Sequence, residues 1–128
     1  MNVTIMALIL IIAGEMGIPP NFALAVAIEE NGTLDPLAIG TNQDGTVDRG
    51  IMQLNSGWYN GEWWEPETNI RAGCQLIREL HDKGLNWWQV AIAYNCGYYR
   101  LISDAGPPDR SIEYANRVFR RWHELEGK

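Results

Sequence analysis

Apolar residues recurring every three to four positions, in five stretches separated by Gly, Pro and Asn, constrain this chain to a mainly α-helical fold. The stretches run over about 3–16, 20–31, 68–83, 87–99 and 110–124. Pro19-Pro20-Asn21 opens the second, where proline suits a first helical turn. The third follows Pro66-Glu67-Thr68-Asn69 and aligns Ile70, Cys74, Ile77 and Leu80 on one face. The last aligns Ile112, Ala115, Phe119 and Trp122 in the same way. Between Asn31 and Gly50 the helical period disappears, and Asn42-Gln43-Asp44-Gly45 carries the Asp-Gly signal of a tight turn. That stretch predicts a small β-hairpin.

A length of 128 residues with 46% apolar content supplies one core, so residues 1–128 are expected to form a single domain. The net charge of −6 argues against nucleic acid or an anionic membrane surface as partner, because such binding draws on clustered Lys and Arg. Arg117, Arg120 and Arg121 come together near the end, but at helical spacing they read as a solvated face. The run Ile5 to Ala13 is shorter than the ~20 residues a membrane span needs, and no Lys or Arg precedes it as in a signal peptide. It reads as a buried first helix stopped at Gly17, with no membrane span expected.

Cys74 and Cys96 lack the neighbouring ligands of a zinc site and are compatible with one disulfide or two thiols. Asn42, Asp44 and Asp48 offer oxygens, but Gly45 is misplaced for an EF-hand and no bidentate Glu follows, so no metal or cofactor is expected. His81 and His123 read as ordinary helix-surface residues. Six tryptophans and five tyrosines include several in polar or Gly-rich surroundings, where rings can line a groove rather than a core.

One helix end invites chemistry. Ala23-Leu24-Ala25-Val26-Ala27-Ile28 runs into Glu29-Glu30-Asn31-Gly32. Positions 23, 26, 27 and 30 share a face, so Glu30 continues an apolar stripe while Glu29 points about 100° away. A carboxyl desolvated at a helix C-terminus meets two influences that disfavour its charge, burial and the negative end of the dipole. Kept protonated near neutral pH, it can protonate a glycosidic oxygen. The plainer alternative is a carboxylate that caps a turn or pairs with Arg49.

The wider pattern bears on that choice. Ile28-Glu29-Glu30-Asn31, Asp35-Pro36-Leu37-Ala38, Gly50-Ile51-Met52-Gln53, Asn69-Ile70-Arg71-Ala72-Gly73 and Ala93-Tyr94-Asn95-Cys96-Gly97 follow one another in this order. Together they resemble the motifs of the soluble-type lytic transglycosylase (SLT) domain: Glu-Ser, Asn-Pro-x-Ala, Gly-Leu-Met-Gln, Asn-Ile-x-x-Gly and Ala-Tyr-Asn-Ala-Gly. The resemblance spans about residues 18 to 120. It implies a lysozyme-like α+β fold of five to six helices with a small β-hairpin beside the groove. It also implies cleavage of the β-1,4 bond between N-acetylmuramic acid and N-acetylglucosamine in peptidoglycan glycan strands.

By the same resemblance Glu30 takes the position of the catalytic acid. Met52 and Gln53 match the groove-lining Met-Gln, Tyr94 and Asn95 the Tyr-Asn pair, and Tyr114 a C-terminal tyrosine near the acid. Asn31 stands where the family has serine and still offers a hydrogen bond to the sugar or to Glu30. Cys96 replaces an alanine at a close-packed place, which implies a buried thiol within reach of Cys74. Asn55 and Trp58, just beyond the Met-Gln pair, are further candidates for sugar contact, Trp58 by stacking on a pyranose face. The implied setting is the cell envelope, periplasmic or extracellular, or a phage lysis or tail protein. A monomer is expected.

The run Asp48-Arg49-Gly50-Ile51-Met52-Gln53-Leu54-Asn55-Ser56 is also similar to the c-type lysozymes, in which an aspartate two residues before the glycine is the second carboxylate. Asp48 holds that place, where lytic transglycosylases of this type have an uncharged residue. In a transglycosylase Glu30 alone suffices. In a hydrolase Asp48 would act as nucleophile with the carboxyls ~5–5.5 Å apart, or activate water at ~6.5–9.5 Å. Otherwise Asp48 is a turn residue bonded to Arg49 or to backbone amides. A groove that binds sugar without cleaving it is the remaining alternative.

Overall fold

A computed structural model describes residues 2–128. Among them are six helices and one small antiparallel sheet: α1 (Val3–Glu15), α2 (Pro20–Glu30), β1 (Ile39–Thr41), β2 (Val47–Arg49), β3 (Leu54–Asn55), α3 (Pro66–Asp82), α4 (Trp87–Cys96), α5 (Tyr98–Ile102) and α6 (Asp109–Leu125). The architecture is the mainly helical α+β arrangement of a lysozyme-like fold. The Asn2 side chain caps α1 by accepting from the Ile5 N–H at 3.1 Å, and Gly17, at φ 72°, turns the chain toward Pro19-Pro20 and α2. α1 sets Ile5, Ile9 and Ile12 against α2 and α3. No helix among the described residues is long and apolar enough to cross a membrane.

α2 is the central helix. Every residue from Phe22 to Ile28 is buried, so the expected one-sided stripe is in fact apolar all round, as befits a helix surrounded by others. The two faces separate only in its last turn, at Glu29 and Glu30. Around its first turn an aromatic cluster closes the core, with Phe22 5.2 Å from both Trp87 and Trp122. The α6 stripe Ile112, Ala115, Phe119 and Trp122 packs against this core, although α6 buries Tyr114 and Val118 more deeply than Phe119 and Trp122.

The hairpin forms through an Asn42–Gly45 turn with Gly45 at φ 87°, and a third strand extends it in the order β1-β2-β3. Leu54-Asn55 is too short to show an alternating pattern, so the sequence offered no period for β3. Its register sets Asp48 opposite Asn55 on one side and Gly40 on the other.

α3 locks this sheet to the core through Asn69 and Gly73, one helical turn apart. The buried Asn69 accepts from the Met52 N–H at 2.8 Å and donates to the carbonyls of Trp63 at 2.9 Å and Arg49 at 3.1 Å. Gly50, at φ 79°, leaves room for that amide, which a Cβ would overlap. At Gly73 a Cβ would stand 2.7 Å from Met52 Cβ and Cγ. Gly to Ala inside a helix ordinarily stabilises by up to about 1 kcal/mol. Here overpacking against a fully buried side chain is the larger effect. Gly73→Ala should therefore lower stability by about 1–2 kcal/mol, read from the urea midpoint. A variant as stable as the parent would contradict this close approach.

The expected single helix over 87–99 is instead two. Asn86 and Gln89 start α4 with a capping box, but Gly97, at φ 92° and ψ 151°, ends it and starts α5 in a new direction. Apolar periodicity continues through the break, which is why the pattern alone read as one helix.

Candidate active site

A cleft of about 780 Å³ lies between the small sheet and the wall formed by α3, α4 and α5. Glu30 opens into it from the last turn of α2, where the Asn31 backbone leaves the helix at φ −148°. Burial pushes the Glu30 carboxyl up to about 7 from its ordinary 4.5, and the negative charges of Asp48 and Glu29 push the same way. The nearby Tyr114 hydroxyl partly opposes them. That hydroxyl is buried without a well-formed hydrogen bond among the described residues, so it approaches Glu30 without closing on it. Burial and the adjacent carboxylate hold the Tyr114 phenol far above its usual range.

Glu29 points the other way, as the helical spacing predicts. It bonds Arg117 Nε and Arg121 Nε and Nη2, each at 3.2 Å. Arg117 and Arg121 are thus partners of an almost buried carboxylate, where the sequence read them as a solvated face. Glu29 is paired between two arginines, whereas Glu30 has no ion-pair partner among the described residues.

Asp48 faces Glu30's cleft from the middle of β2. Its Oδ1 accepts from Asn55 Nδ2 at 2.9 Å across the strand pair, and Asn55 Nδ2 also donates to Thr46 Oγ1 at 2.9 Å. Arg49, one residue on, turns to the opposite face, as strand alternation requires. It donates to the Tyr59 carbonyl at 2.9 Å and lies 5.3 Å from the Trp63 ring centre. Neither Glu30 nor Asp48 pairs with it, and this removes the ion-pair alternative for both.

The remaining candidates fall into two groups. Gln53, Asn55, Trp58, Tyr94 and Asn95 line the cleft with Glu30 and Asp48. Asn31, Met52 and Tyr114 do not; they lie beneath its surface and hold it up. Asn31 is buried and donates to the carbonyls of Asp35 at 2.8 Å and Gly50 at 3.2 Å. Met52 is fully buried, offering its N–H to Asn69 and its carbonyl to the Tyr94 hydroxyl at 2.6 Å. Gln53 sits at φ 53°, an uncommon conformation for a residue with a side chain, and its amide donates to Gly50 O at 3.0 Å and Ala38 O at 3.3 Å. Asn95 Oδ1 accepts from Ser111 Oγ at 2.6 Å, tying the cleft wall to α6.

Of Trp58, Tyr59, Trp63 and Trp64, Trp58 is the one that reaches the cleft, half exposed at its edge. Trp63 instead covers Arg49. Glu79, Lys83 and Arg110 line the cleft without having been singled out from the sequence. They sit on the polar sides of their helices, which periodicity marks only as facing away from the core. The pair Tyr98-Tyr99 carried a signal, two rings after a glycine, and the turn at Gly97 brings both to the cleft.

Cys74 is buried in α3 and Cys96 half-buried at the cleft, both as free thiols. Burial pushes the Cys74 thiol up to about 12, so it is inert as a nucleophile. His81 is less ordinary than its spacing suggested, stacking 3.9 Å from the Trp87 ring. No cluster of His, Cys, Asp and Glu that could hold a metal occurs among the described residues.

A family model described as "Transglycosylase SLT domain" matches residues 7–117. Among curated proteins the chain is similar to the invasion protein IagB of Salmonella typhimurium strain SL1344, 26% identical over 113 residues that cover 80% of this chain and 67% of IagB. It is also similar to the protein IpgF of Shigella sonnei, 28% identical over 121 residues that cover 86% of this chain and 76% of IpgF. No solved structure gives a significant match.

Proposed function

This chain belongs to the transglycosylase SLT domain family, a family of peptidoglycan lytic transglycosylases, and from that premise we propose that Glu30 is its general acid and base in cutting the MurNAc-β-1,4-GlcNAc bond. The observation that carries the proposal is a carboxyl pushed up to about 7 by burial in a glycan-sized cleft, with no ion-pair partner among the described residues. Protonated, Glu30 delivers its proton to the leaving glycosidic oxygen. As carboxylate it then takes the proton of the muramic acid C6 hydroxyl, whose oxygen closes on C1 to give a 1,6-anhydro end. The substrate places this reaction in the cell envelope.

Asp48 favours a second reading. A carboxylate held by Asn55 in the same cleft is positioned to stabilise an oxocarbenium ion or to assist water, which would make the enzyme a hydrolase. Muropeptide mass decides: an anhydro product is one water lighter than a reducing one, and a product that has gained water excludes the transglycosylase outcome. In the transglycosylase reading Asp48→Asn should keep turnover within about tenfold of the parent. In the hydrolase reading it should lose about a hundredfold or more.

The pH profile follows from Glu30. Cleavage needs the protonated acid, so kcat/KM should fall above about pH 7, the value to which burial raises this carboxyl. A profile flat to pH 9 would contradict its role as the acid.

A further inference from the structure

The proposed reaction leaves two cations in the cleft unused. Lys83 ends α3, Arg110 stands in the first turn of α6, and both line the cleft that holds Glu30 and Asp48. Arg71, Arg78, Arg117 and Arg121 are all committed to carboxylates within 3.5 Å. Arg49 is held by the Tyr59 carbonyl and Asn60. Lys83 and Arg110 form no ion pair among the described residues.

The carboxylates of the cleft do not neutralise them. Glu79, one turn before Lys83, accepts instead from Gln75 at 3.2 Å, Asp48 accepts from Asn55, and Asp44 is held by the Thr46 hydroxyl at 2.6 Å. Lys83 is also held in place: its Nζ lies 4.6 Å over the Tyr98 ring, and the turn at Gly97 sets that ring. Arg110 has an exposed side chain, and its backbone precedes Ser111, whose hydroxyl fixes this end of α6 to Asn95 in the cleft wall.

The chemistry of the substrate says what such cations would meet. The hydroxyls and acetamido groups of the glycan are uncharged, whereas the peptide attached to muramic acid carries free carboxylates. Resting on the substrate class given above, we propose that Lys83 and Arg110 receive the carboxylates of that peptide, making this cleft selective for peptide-bearing over bare glycan strands. The two cations act as specificity residues along the cleft and take no part in the proton transfers. Exposed charge pairs are individually weak, so two together give about a fivefold to tenfold preference at low salt. The preference shrinks as ionic strength rises past about 0.15 M, where screening sets in over ~8 Å.

The test is equilibrium binding of soluble glycan strands to full-length Glu30→Gln protein, with peptides intact, with peptides removed by an amidase and the freed lactyl carboxylates capped as methylamides, and with the peptide carboxyls amidated. The expected result is binding five to ten times tighter to intact strands than to either altered form. Adding Lys83→Gln and Arg110→Gln should erase the difference, and Lys83→Arg should preserve it. Equal affinity for all three strands overturns the proposal, as does a preference that survives loss of both cations. Failure of the catalytic reading would show separately, as wild-type protein releasing no product, while the binding ratio still decides the role of Lys83 and Arg110.

Discussion

Glu30→Gln is expected to lower peptidoglycan turnover by about a thousandfold, the scale of losing a positioned general acid and base. Glutamine matches glutamate in shape but can neither give up nor take a proton at its amide, so binding of the glycan should change little. The measurement is muropeptide release from purified sacculi beside retention of the protein on the same sacculi. Turnover within tenfold of wild type would remove Glu30 from the mechanism.

The same variant should be more stable than the parent, in a pH-dependent way. Folding raises this carboxyl from 4.5 to about 7, so the folded chain holds its proton more tightly than the unfolded one. The stability Glu30 contributes is therefore complete below about pH 4.5 and is lost as pH rises through about 7. A shift of this size corresponds to about 3 kcal/mol. Glutamine has no such dependence. Urea midpoints of the two proteins should approach each other near pH 4, and the variant should lead by up to about 3 kcal/mol at pH 8. A gap that stayed constant between those pH values would show that burial does not raise this carboxyl. The gain belongs with the loss of activity: a carboxylate kept from water is useful as an acid and costly to the fold.

Asn69→Ala is expected to cost about 3–5 kcal/mol, because it strips one buried amide from three backbone groups at once. Met52 N–H loses its acceptor, and the Arg49 and Trp63 carbonyls lose their donor. Each group left unpaired away from water costs about 1–3 kcal/mol, against a net stability of about 5–15 kcal/mol for a whole domain. Asn69→Asp should do no better, since a carboxylate keeps the acceptor for Met52 but sets negative charge against two carbonyls. A urea midpoint shift worth less than about 1 kcal/mol for Asn69→Ala would mean that these groups find other partners. Asn69 joins β2, the turn holding Met52 and the loop through Trp63, so its loss should also loosen the wall that carries Asp48.

The helices were largely legible because burial imposes a period. Ile70, Cys74, Ile77 and Leu80 all face the core of α3 as their spacing requires. The separation of Glu29 from Glu30 was legible for the same reason. A 100° step per residue sends one to the arginines of α6 and the other to the cleft. Where the backbone leaves regular geometry the period no longer informs. Gly97 breaks 87–99 into α4 and α5, and β3 is two residues long.

The amino-acid sequence by itself determined the mainly helical class, the family, and the placing of an acidic side chain where a helix ends in its own apolar surroundings. Tertiary structure alone decided which polar and sulfur-bearing residues of those motifs face the cleft and which hold it. Met52 and Gln53 are neighbours, yet one is sealed under Gly73 and the other, at φ 53°, lines the cleft. Asn31 and Tyr114 likewise lie beneath the surface that Asn55 and Asn95 form. In loops and at helix ends a side chain's direction depends on what another element places opposite it. Asn69 and Gly73 lie about twenty residues from the turn they orient, and no local pattern around that turn carries the information.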